Sequence, residues 1–305
     1  MNRTDLRATT LALCLALAAA PAAFAAPKAP APNAASAFES HRFTVEVRGH
    51  GPDVILIPGL SSSREVWRGL ATRLERDHTV HLVQVSGFAG QPADANAEGP
   101  VVAPTVEEIA RYIEARGLRA PAVIGHSLGG EAALMLAARH PASVGRVMVV
   151  DAVPFIGLLG NPNATSETVR PQADMMRDAM MTQSDEAWAA GQVPTMARLV
   201  KDPAARARGV AAGTATDRRV AARAVHELMV TDLRPELKAI TAPVTVLYAY
   251  DAQYGVPPEV IDRTFAGAYA ALPSARLVRV DDSFHFIMDD QPERFASEVE
   301  TFLAP

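Results

Sequence analysis

A serine stands at the centre of the pentapeptide Gly125-His126-Ser127-Leu128-Gly129, between a short apolar run and an alanine-rich segment. The apolar run predicts a buried strand, and the segment after it predicts a helix. A sharp strand-to-helix turn explains the two glycines, because side chains there would collide with neighbouring backbone. The turn also puts the serine at a helix N-terminus, whose partial positive charge favours a developing anion. The pattern predicts that Ser127 is a nucleophile, although a noncatalytic glycine-rich helix cap would look similar.

A serine hydroxyl is a weak nucleophile and needs a base, for which histidine is suited at neutral pH. Of the eight histidines, His285 is the candidate, because it follows the last predicted strand and precedes the last predicted helix. Ligands of open α/β folds bind at that carboxyl edge of the sheet. His126 adjoins the serine on a turn that directs it differently, and we expect it to pack or to form a hydrogen bond.

The acid that orients the histidine has two candidates, and each of them ends a predicted strand. Asp251 follows the strand predicted at residues 244–248 and lies between the serine and the histidine in chain order. That order is typical of a serine nucleophile on a strand-to-helix turn, and Asp251 is the preferred candidate. Asp151 follows the strand predicted at residues 147–150 and is the alternative.

Attack of a serine on a carbonyl creates an oxyanion, which needs hydrogen-bond donors. The backbone N–H of Leu128 is one candidate, because it directly follows the serine. The second candidate is the N–H of Leu60, in the turn Pro58-Gly59-Leu60 after the first buried strand. Gly59 would let the chain approach the substrate, although a glycine there also suits a plain tight turn.

Short apolar runs alternate with longer helical patterns along most of the chain, which predicts an α/β fold with a mostly parallel central sheet flanked by helices. The alternation stops near residue 154, gives way to helical patterns, and resumes near residue 236. We therefore predict one core from residues 41–153 and 236–305, with a helical cap at 154–235. Helices are expected from Thr105 to Arg116 and, in the cap, near residues 171–181, 185–190, 195–200 and 218–229.

These features together resemble the α/β-hydrolase superfamily, in its serine esterase or lipase form with a helical cap. The resemblance spans residues 43–303 and rests on the Gly59 turn, the Ser127 pentapeptide, the strand end at Asp251 and Ser283-Phe284-His285-Phe286. It implies a triad of Ser127, Asp251 and His285 beneath the cap. The chain departs from many relatives after residue 85, where an aspartate and a closing serine are missing, and at Tyr248, where glycine is common.

The serine also distinguishes this chain from relatives with an aspartate nucleophile, such as haloalkane dehalogenases and epoxide hydrolases. We expect hydrolysis of a carboxylic ester of a small or medium substrate through an acyl-enzyme. Lactone or amide hydrolysis, or noncatalytic ligand binding, are the alternatives. Flexible methionines suit an acyl pocket, although they could equally pack the cap onto the core. Candidate pocket residues are Phe155, Ile156, Leu158 and Leu159 after Asp151, and Met176 and Met180 in the cap.

The N-terminus has the pattern of a secretory signal. Two arginines precede an apolar run at residues 8–20, and Ala23-Phe24-Ala25 fits a cleavage site. We predict a signal peptide at 1–25 and a disordered, proline-rich linker at 26–40, hence export to the periplasm or the medium without a lasting membrane anchor. An uncleaved anchor is the alternative. The single cysteine, Cys14, would leave with the signal, so the mature enzyme would have no disulfide.

Composition limits the partners. The formal net charge is −5, and no lysine or arginine cluster indicates a nucleic-acid surface. The scattered histidines do not suggest a metal site, and no cofactor is predicted. The expected partner is a small ester-like molecule, and the sequence does not indicate an oligomeric state.

Overall fold

The computed structural model describes residues 38–304, which build a seven-stranded sheet in the order β1-β3-β2-β4-β5-β6-β7. β1 pairs antiparallel with β3, and every other pair of neighbours is parallel. The prediction of an α/β fold with a mostly parallel sheet is therefore confirmed. The strands are β1 Phe43–Gly49, β2 Asp53–Ile57, β3 Thr79–Val85, β4 Ala122–His126, β5 Arg146–Val150, β6 Val244–Tyr250 and β7 Arg276–Asp281.

The central strands are continuous apolar runs because both of their faces are covered. Each residue from Val54 to Ile57 has at most 2% of its surface exposed. One hydrophobic core lies between the sheet and the helices at residues 102–115, 128–139 and 258–268, and a second core lies under the helices at 68–74 and 292–303. Burial on two faces fixes the register of these strands, and therefore fixes which residues emerge at their carboxyl ends.

The helices outside the cap region follow the predicted alternation, with one shifted start. α2 begins at Val102 instead of Thr105, because Glu227 accepts hydrogen bonds from the N–H groups of Val101, Val102 and Ala103. A carboxylate from a distant helix thus caps this N-terminus. These helices are α1 Arg68–Leu74, α2 Val102–Ala115, α3 Leu128–Arg139, α8 Pro258–Ala268, α9 Ile287–Asp290 and α10 Pro292–Leu303.

Between β5 and β6 the described chain contains helices and no strand. The helices predicted at residues 185–190 and 195–200 form one helix that continues through Pro194, and the helix α6 was not predicted. α5 is held along α6, where Trp188 Nε1 donates to the carbonyl of Gly213 at 3.0 Å. The helices are α4 Ser166–Thr182, α5 Asp185–Leu199, α6 Pro203–Ala215 and α7 Arg218–Val230. The division into a core and a separate cap remains a prediction.

The predicted signal peptide at residues 1–25 and most of the predicted linker at 26–40 lie outside the described residues. Among the helices of residues 38–304, none combines the length and the apolarity that a membrane span requires.

Candidate active site

Ser127 alone makes the turn between β4, which ends at His126, and α3, which begins at Leu128. Its backbone has φ 53° and ψ −122°, a conformation that costs a non-glycine residue about 1–3 kcal/mol. The N–H of Ser127 donates to the carbonyl of Val150 at 2.9 Å, which fixes the turn against β5. The serine is thus held at the carboxyl edge of the sheet in a strained turn.

The glycines of the pentapeptide are required by close backbone approaches. A Cβ atom at Gly125 would lie 2.0 Å from the carbonyl oxygen of Gly129. A Cβ atom at Gly129 would lie 2.2 Å from the carbonyl oxygen of Ile57. Any larger residue at either position would displace backbone, and Ser127 would lose its position relative to β2.

His285 lies in the loop between β7 and α9, and its imidazole contacts Asp151. Nδ1 of His285 is 2.6 Å from Oδ2 of Asp151, and both side chains are mostly buried. Because a carboxylate only accepts hydrogen bonds, Nδ1 carries a proton and donates a hydrogen bond to Asp151. Nε2 is then unprotonated, which is the tautomer that can take a proton from a serine hydroxyl.

Asp151 is fixed by three further features. Its φ of 51° turns the chain sharply at the end of β5. Its N–H donates to the carbonyl of Leu247 at 2.7 Å, and its Oδ1 accepts from the N–H of Ala249 at 2.8 Å. β6 therefore holds both ends of this residue and leaves Oδ2 for His285. The carboxylate is positioned before any substrate arrives.

Asp251, the acid preferred in the sequence prediction, has a different partner. Its Oδ2 accepts from Lys201 Nζ at 2.6 Å, and its Oδ1 accepts from the N–H of Gln253 at 2.8 Å. Burial raises the pKa of Asp251, but these hydrogen bonds outweigh burial and the pKa is lowered overall. The predicted pairing of Asp251 with His285 is therefore corrected: a lysine between α5 and α6 binds Asp251, and Asp151 contacts the histidine.

His126 supports the histidine loop from beneath. Its Nε2 donates to the backbone carbonyl of His285 at 3.0 Å, and only 1% of the residue is exposed. Burial, with the nearby His285, lowers the pKa of His126 well below its usual value, so the ring is neutral. Nδ1 has no hydrogen-bond partner among the described residues and faces Gly59, where a Cβ atom would lie 3.1 Å away.

The turn after β2 approaches the serine closely. A Cβ atom at Gly59 would lie 3.1 Å from Cβ of Ser127, so the next residue, Leu60, follows directly beside the nucleophile. Within residues 38–304, the N–H groups of Leu60 and Leu128 have no hydrogen-bond acceptor. Both groups are thus available for an oxyanion, and Leu128 adds the positive end of α3.

Ser127, Asp151 and His285 line one cavity of about 230 Å³, together with Ile156 and Leu159. The residues 156 and 159 belong to a short 3-10 helix after β5. They were among the predicted pocket residues, and the apolar run after Asp151 was the signal that indicated them. The sequence carried no comparable signal for Leu228 of α7, which also lines the cavity, or for Lys201.

Four predicted pocket residues do not line this cavity. Leu158 is partly buried and packs against the hydrophobic core instead. Phe155 is fully buried and does not line the cavity, because its ring packs under Gly157, where a Cβ atom would lie 2.8 Å from Cζ. The guanidinium of Arg234 lies 5.1 Å from the centroid of the same ring. Met176 lines an adjoining cavity, and Met180 is half-buried on α4 without lining either one. The side chain that replaces Phe155 in the lining is its neighbour Ile156.

No group of three or more histidine, cysteine, aspartate or glutamate side chains is arranged for metal binding in the part of the chain that the structure describes.

The model of the alpha/beta hydrolase family matches residues 54–298, which include Ser127, Asp151 and His285. The chain belongs to the alpha/beta hydrolase family. A pimeloyl-[acyl-carrier protein] methyl ester esterase of Aeromonas hydrophila is 25% identical over 85% of this chain and 98% of its own length. An uncharacterised protein of Mycobacterium tuberculosis is 25% identical over 86% of this chain and 78% of its own.

Solved structures agree with this family. An enol-lactonase of Burkholderia xenovorans superposes with a TM-score of 0.70 at 20% identity, covering 86% of this chain and 96% of that one. A thermophilic esterase of Thermogutta terrifontis has a TM-score of 0.65 at 21% identity, covering 86% and 92%. At these identities the structures establish the shared fold, and the membership in the family supports hydrolase activity.

Proposed function

We propose that this protein is an exported serine hydrolase that cleaves a carboxylic ester through an acyl-enzyme. Ser127 is the nucleophile, His285 the general base and Asp151 the acid that orients it. The observation that carries the proposal is one cavity lined by all three side chains, in which His285 Nδ1 lies 2.6 Å from Asp151 Oδ2. This tautomer leaves Nε2 free to accept a proton.

In the proposed first step, His285 Nε2 accepts the hydroxyl proton while Ser127 Oγ attacks the ester carbonyl carbon. The carbonyl oxygen becomes an oxyanion that accepts hydrogen bonds from the N–H groups of Leu60 and Leu128. The tetrahedral intermediate then expels the alcohol, which takes the proton from His285. In the second step His285 activates a water, which attacks the acyl-enzyme and releases the carboxylic acid and Ser127.

Two observations support an ester as the substrate. A curated relative that aligns along most of this chain bears the name of a methyl ester esterase. The cavity walls beside the serine are mainly apolar, which suits the carbon chain of an ester better than a charged substrate.

Active-site labelling with a fluorophosphonate probe tests the nucleophile. We expect the wild type to be labelled and to hydrolyse p-nitrophenyl butanoate, and Ser127→Ala to lose both properties. Ser143→Ala, on a turn after α3, is the matched control and should retain them. An intact wild type that is neither labelled nor active, beside a control esterase that is, would support a noncatalytic ligand-binding protein instead.

Substrate class is separated by assaying esters, lactones and amides with the same preparation. We expect simple esters to be hydrolysed with the highest kcat/KM. A preference for lactones or amides would retain Ser127 as nucleophile and reject the ester assignment.

Export belongs to the same proposal and rests on the residues 1–25 alone. Expression of the full chain in a Gram-negative host, followed by fractionation and N-terminal sequencing, tests it. We expect a mature protein that begins after Ala25, outside the cytoplasm. An unprocessed chain in the cytoplasm or the membrane would contradict export without affecting the assignment of the triad.

A further inference from the structure

The cavity at Ser127 adjoins a second and larger cavity. The first measures about 230 Å³ and the second about 590 Å³. Ile156 and Leu228 line both, so these two side chains form the boundary between them. Binding pockets for small molecules commonly measure roughly 300–1,000 Å³. The first cavity is smaller than this range, and the second lies within it.

The walls of the first cavity are apolar apart from the reacting groups. Of its twelve lining residues, eight are aliphatic or phenylalanine, and the others are Ser127, Asp151, His285 and Tyr254. No lysine or arginine of residues 38–304 is among them. A carboxylate or phosphate on the substrate would therefore find no cation beside the serine, whereas a hydrocarbon chain would find matching walls.

The second cavity lies between α4 and α7 and is lined mainly by apolar residues, with Asn161, Thr168 and Gln172 as its polar ones. Val169 and Met176 come from α4, and Val225 and Met229 come from α7. Met176 is 44% exposed, so the second cavity reaches the solvent at this side chain. A mainly apolar cavity that shares two wall residues with the cavity of the serine and opens towards solvent suits a chain that enters at one end and extends to the other.

We propose that the two cavities form one binding site for the acyl chain of a medium or long carboxylic ester, and that Ile156 and Leu228 form the passage. This inference rests on the proposed function, because the acyl carbon must be bonded to Ser127 Oγ. A group the size of a water occupies about 30 Å³. The first cavity therefore holds roughly seven methylene-sized groups, and a longer chain must pass into the second cavity.

A chain-length series of p-nitrophenyl esters tests the site, with butanoate, octanoate and dodecanoate each below its critical micelle concentration. We expect kcat/KM to increase with chain length by up to about fourfold per methylene, the equivalent of about 0.8 kcal/mol. Dodecanoate should remain at least as good a substrate as butanoate, because the second cavity receives the distal carbons.

Met176→Trp fills part of the second cavity, and Met175→Trp is its matched control on the same helix. Met175 is 69% exposed and does not line the cavity. Met176→Trp should lower kcat/KM for dodecanoate about tenfold relative to kcat/KM for butanoate, mainly through KM. Met175→Trp should leave both unchanged. Leu228→Trp, at the passage itself, should block longer chains, so that kcat/KM already declines at octanoate.

The outcomes distinguish this inference from the proposed function. Activity on butanoate with a decline from octanoate onwards would overturn the acyl site while retaining the serine esterase. So would a dodecanoate-to-butanoate ratio that neither Met176→Trp nor Leu228→Trp alters. Loss of all ester hydrolysis and of fluorophosphonate labelling in the wild type would instead contradict the proposed function itself.

Discussion

Asp151 follows β5 and Asp251 follows β6, two adjacent parallel strands. The two aspartates nevertheless have different backbone conformations. Asp151 turns with φ 51°, so its carboxylate bridges the N–H of Ala249 and Nδ1 of His285. Asp251 stays extended with φ −142° and caps the short turn that follows it. One carboxylate is directed along the edge of the sheet to the histidine, and the other is directed to Lys201.

The surroundings of Lys201 give Asp251 a structural role. The N–H of Lys201 donates to Oδ1 of Asp290 at 2.8 Å, and its Nζ donates to the carbonyl of Asp282 at 3.1 Å. The N–H of Phe286 donates to the carbonyl of Leu199 at 3.1 Å. The segment between α5 and α6 is therefore joined to the loop that carries His285. Asp151 orients the imidazole itself, and Asp251 helps to hold the neighbouring segments together.

The largest expected effect comes from Asp151→Asn. The amide can donate to Nδ1, which would leave the proton on Nε2 and remove the base that Ser127 needs. We expect kcat for p-nitrophenyl butanoate to fall roughly 1,000- to 10,000-fold, with the fold retained. Asp251→Asn is the matched variant and should reduce kcat by less than about tenfold.

The opposite ranking of these two variants, in proteins with unchanged circular dichroism, would restore Asp251 as the acid of the triad. It would also mean that the contact between His285 and Asp151 is exchanged for another one when substrate binds.

The second prediction concerns stability. Lys201→Met leaves the buried carboxylate of Asp251 without its cation, and we expect the free energy of unfolding to decrease by about 1–3 kcal/mol. The value is below that of a fully buried pair, because 34% of the Lys201 side chain is exposed and water can screen the charge. Urea unfolding measures it.

A double variant separates the ion pair from other effects of the lysine. Lys201→Met combined with Asp251→Asn should be more stable than Lys201→Met alone, since no unpaired charge remains. Lys238→Met, at an exposed lysine, should change little. Equal losses in the single and double variants would show that the charge on Asp251 does not depend on Lys201.

The two aspartates also show how much of the active site can be predicted from the sequence. The apolar run before Ser127 and the two glycines of its pentapeptide predicted the turn at Ser127 and the start of α3. Both acids end predicted strands, however, and the choice between them depends on the φ of Asp151 and on a lysine fifty residues from Asp251. A contact between distant segments also explains the early start of α2, whose first N–H groups donate to Glu227 of α7. Local patterns carry no signal for such contacts.

The third prediction concerns His126, which binds the backbone of the His285 loop, and its effect on how stability depends on pH. His126 is neutral in the fold because burial lowers its pKa, whereas in the unfolded chain it binds a proton below about pH 6.5. The unfolded state then binds more protons, so stability decreases as the pH falls below that value, by up to about 1.4 kcal/mol per pH unit. Urea unfolding at several pH values between 5 and 6.5 measures this slope.

His126→Gln keeps an N–H donor for the carbonyl of His285 but does not titrate, so it should flatten the slope. His50→Gln, at an exposed histidine, is the control and should not. An unchanged slope in His126→Gln would assign the pH dependence to other groups and would leave His126 as a packing residue.

The smallest effect on the free energy of unfolding is expected from protonation of Asp251 at acidic pH. Its pKa is lowered in the fold, because the hydrogen bonds from Lys201 and Gln253 outweigh burial, while the unfolded value is near 3.9. The stabilisation is therefore complete above about pH 4 and is lost as the pH falls through the folded pKa. Asp251→Asn should abolish this loss of stability at acidic pH, as measured by urea unfolding. Lys201→Met should make the loss smaller, because the lysine donates one of the hydrogen bonds. If Lys201→Met left the loss of stability at acidic pH unchanged, the N–H of Gln253 would be the group that lowers the pKa of Asp251. Asp251 would then cap its own turn instead of joining the segments around His285.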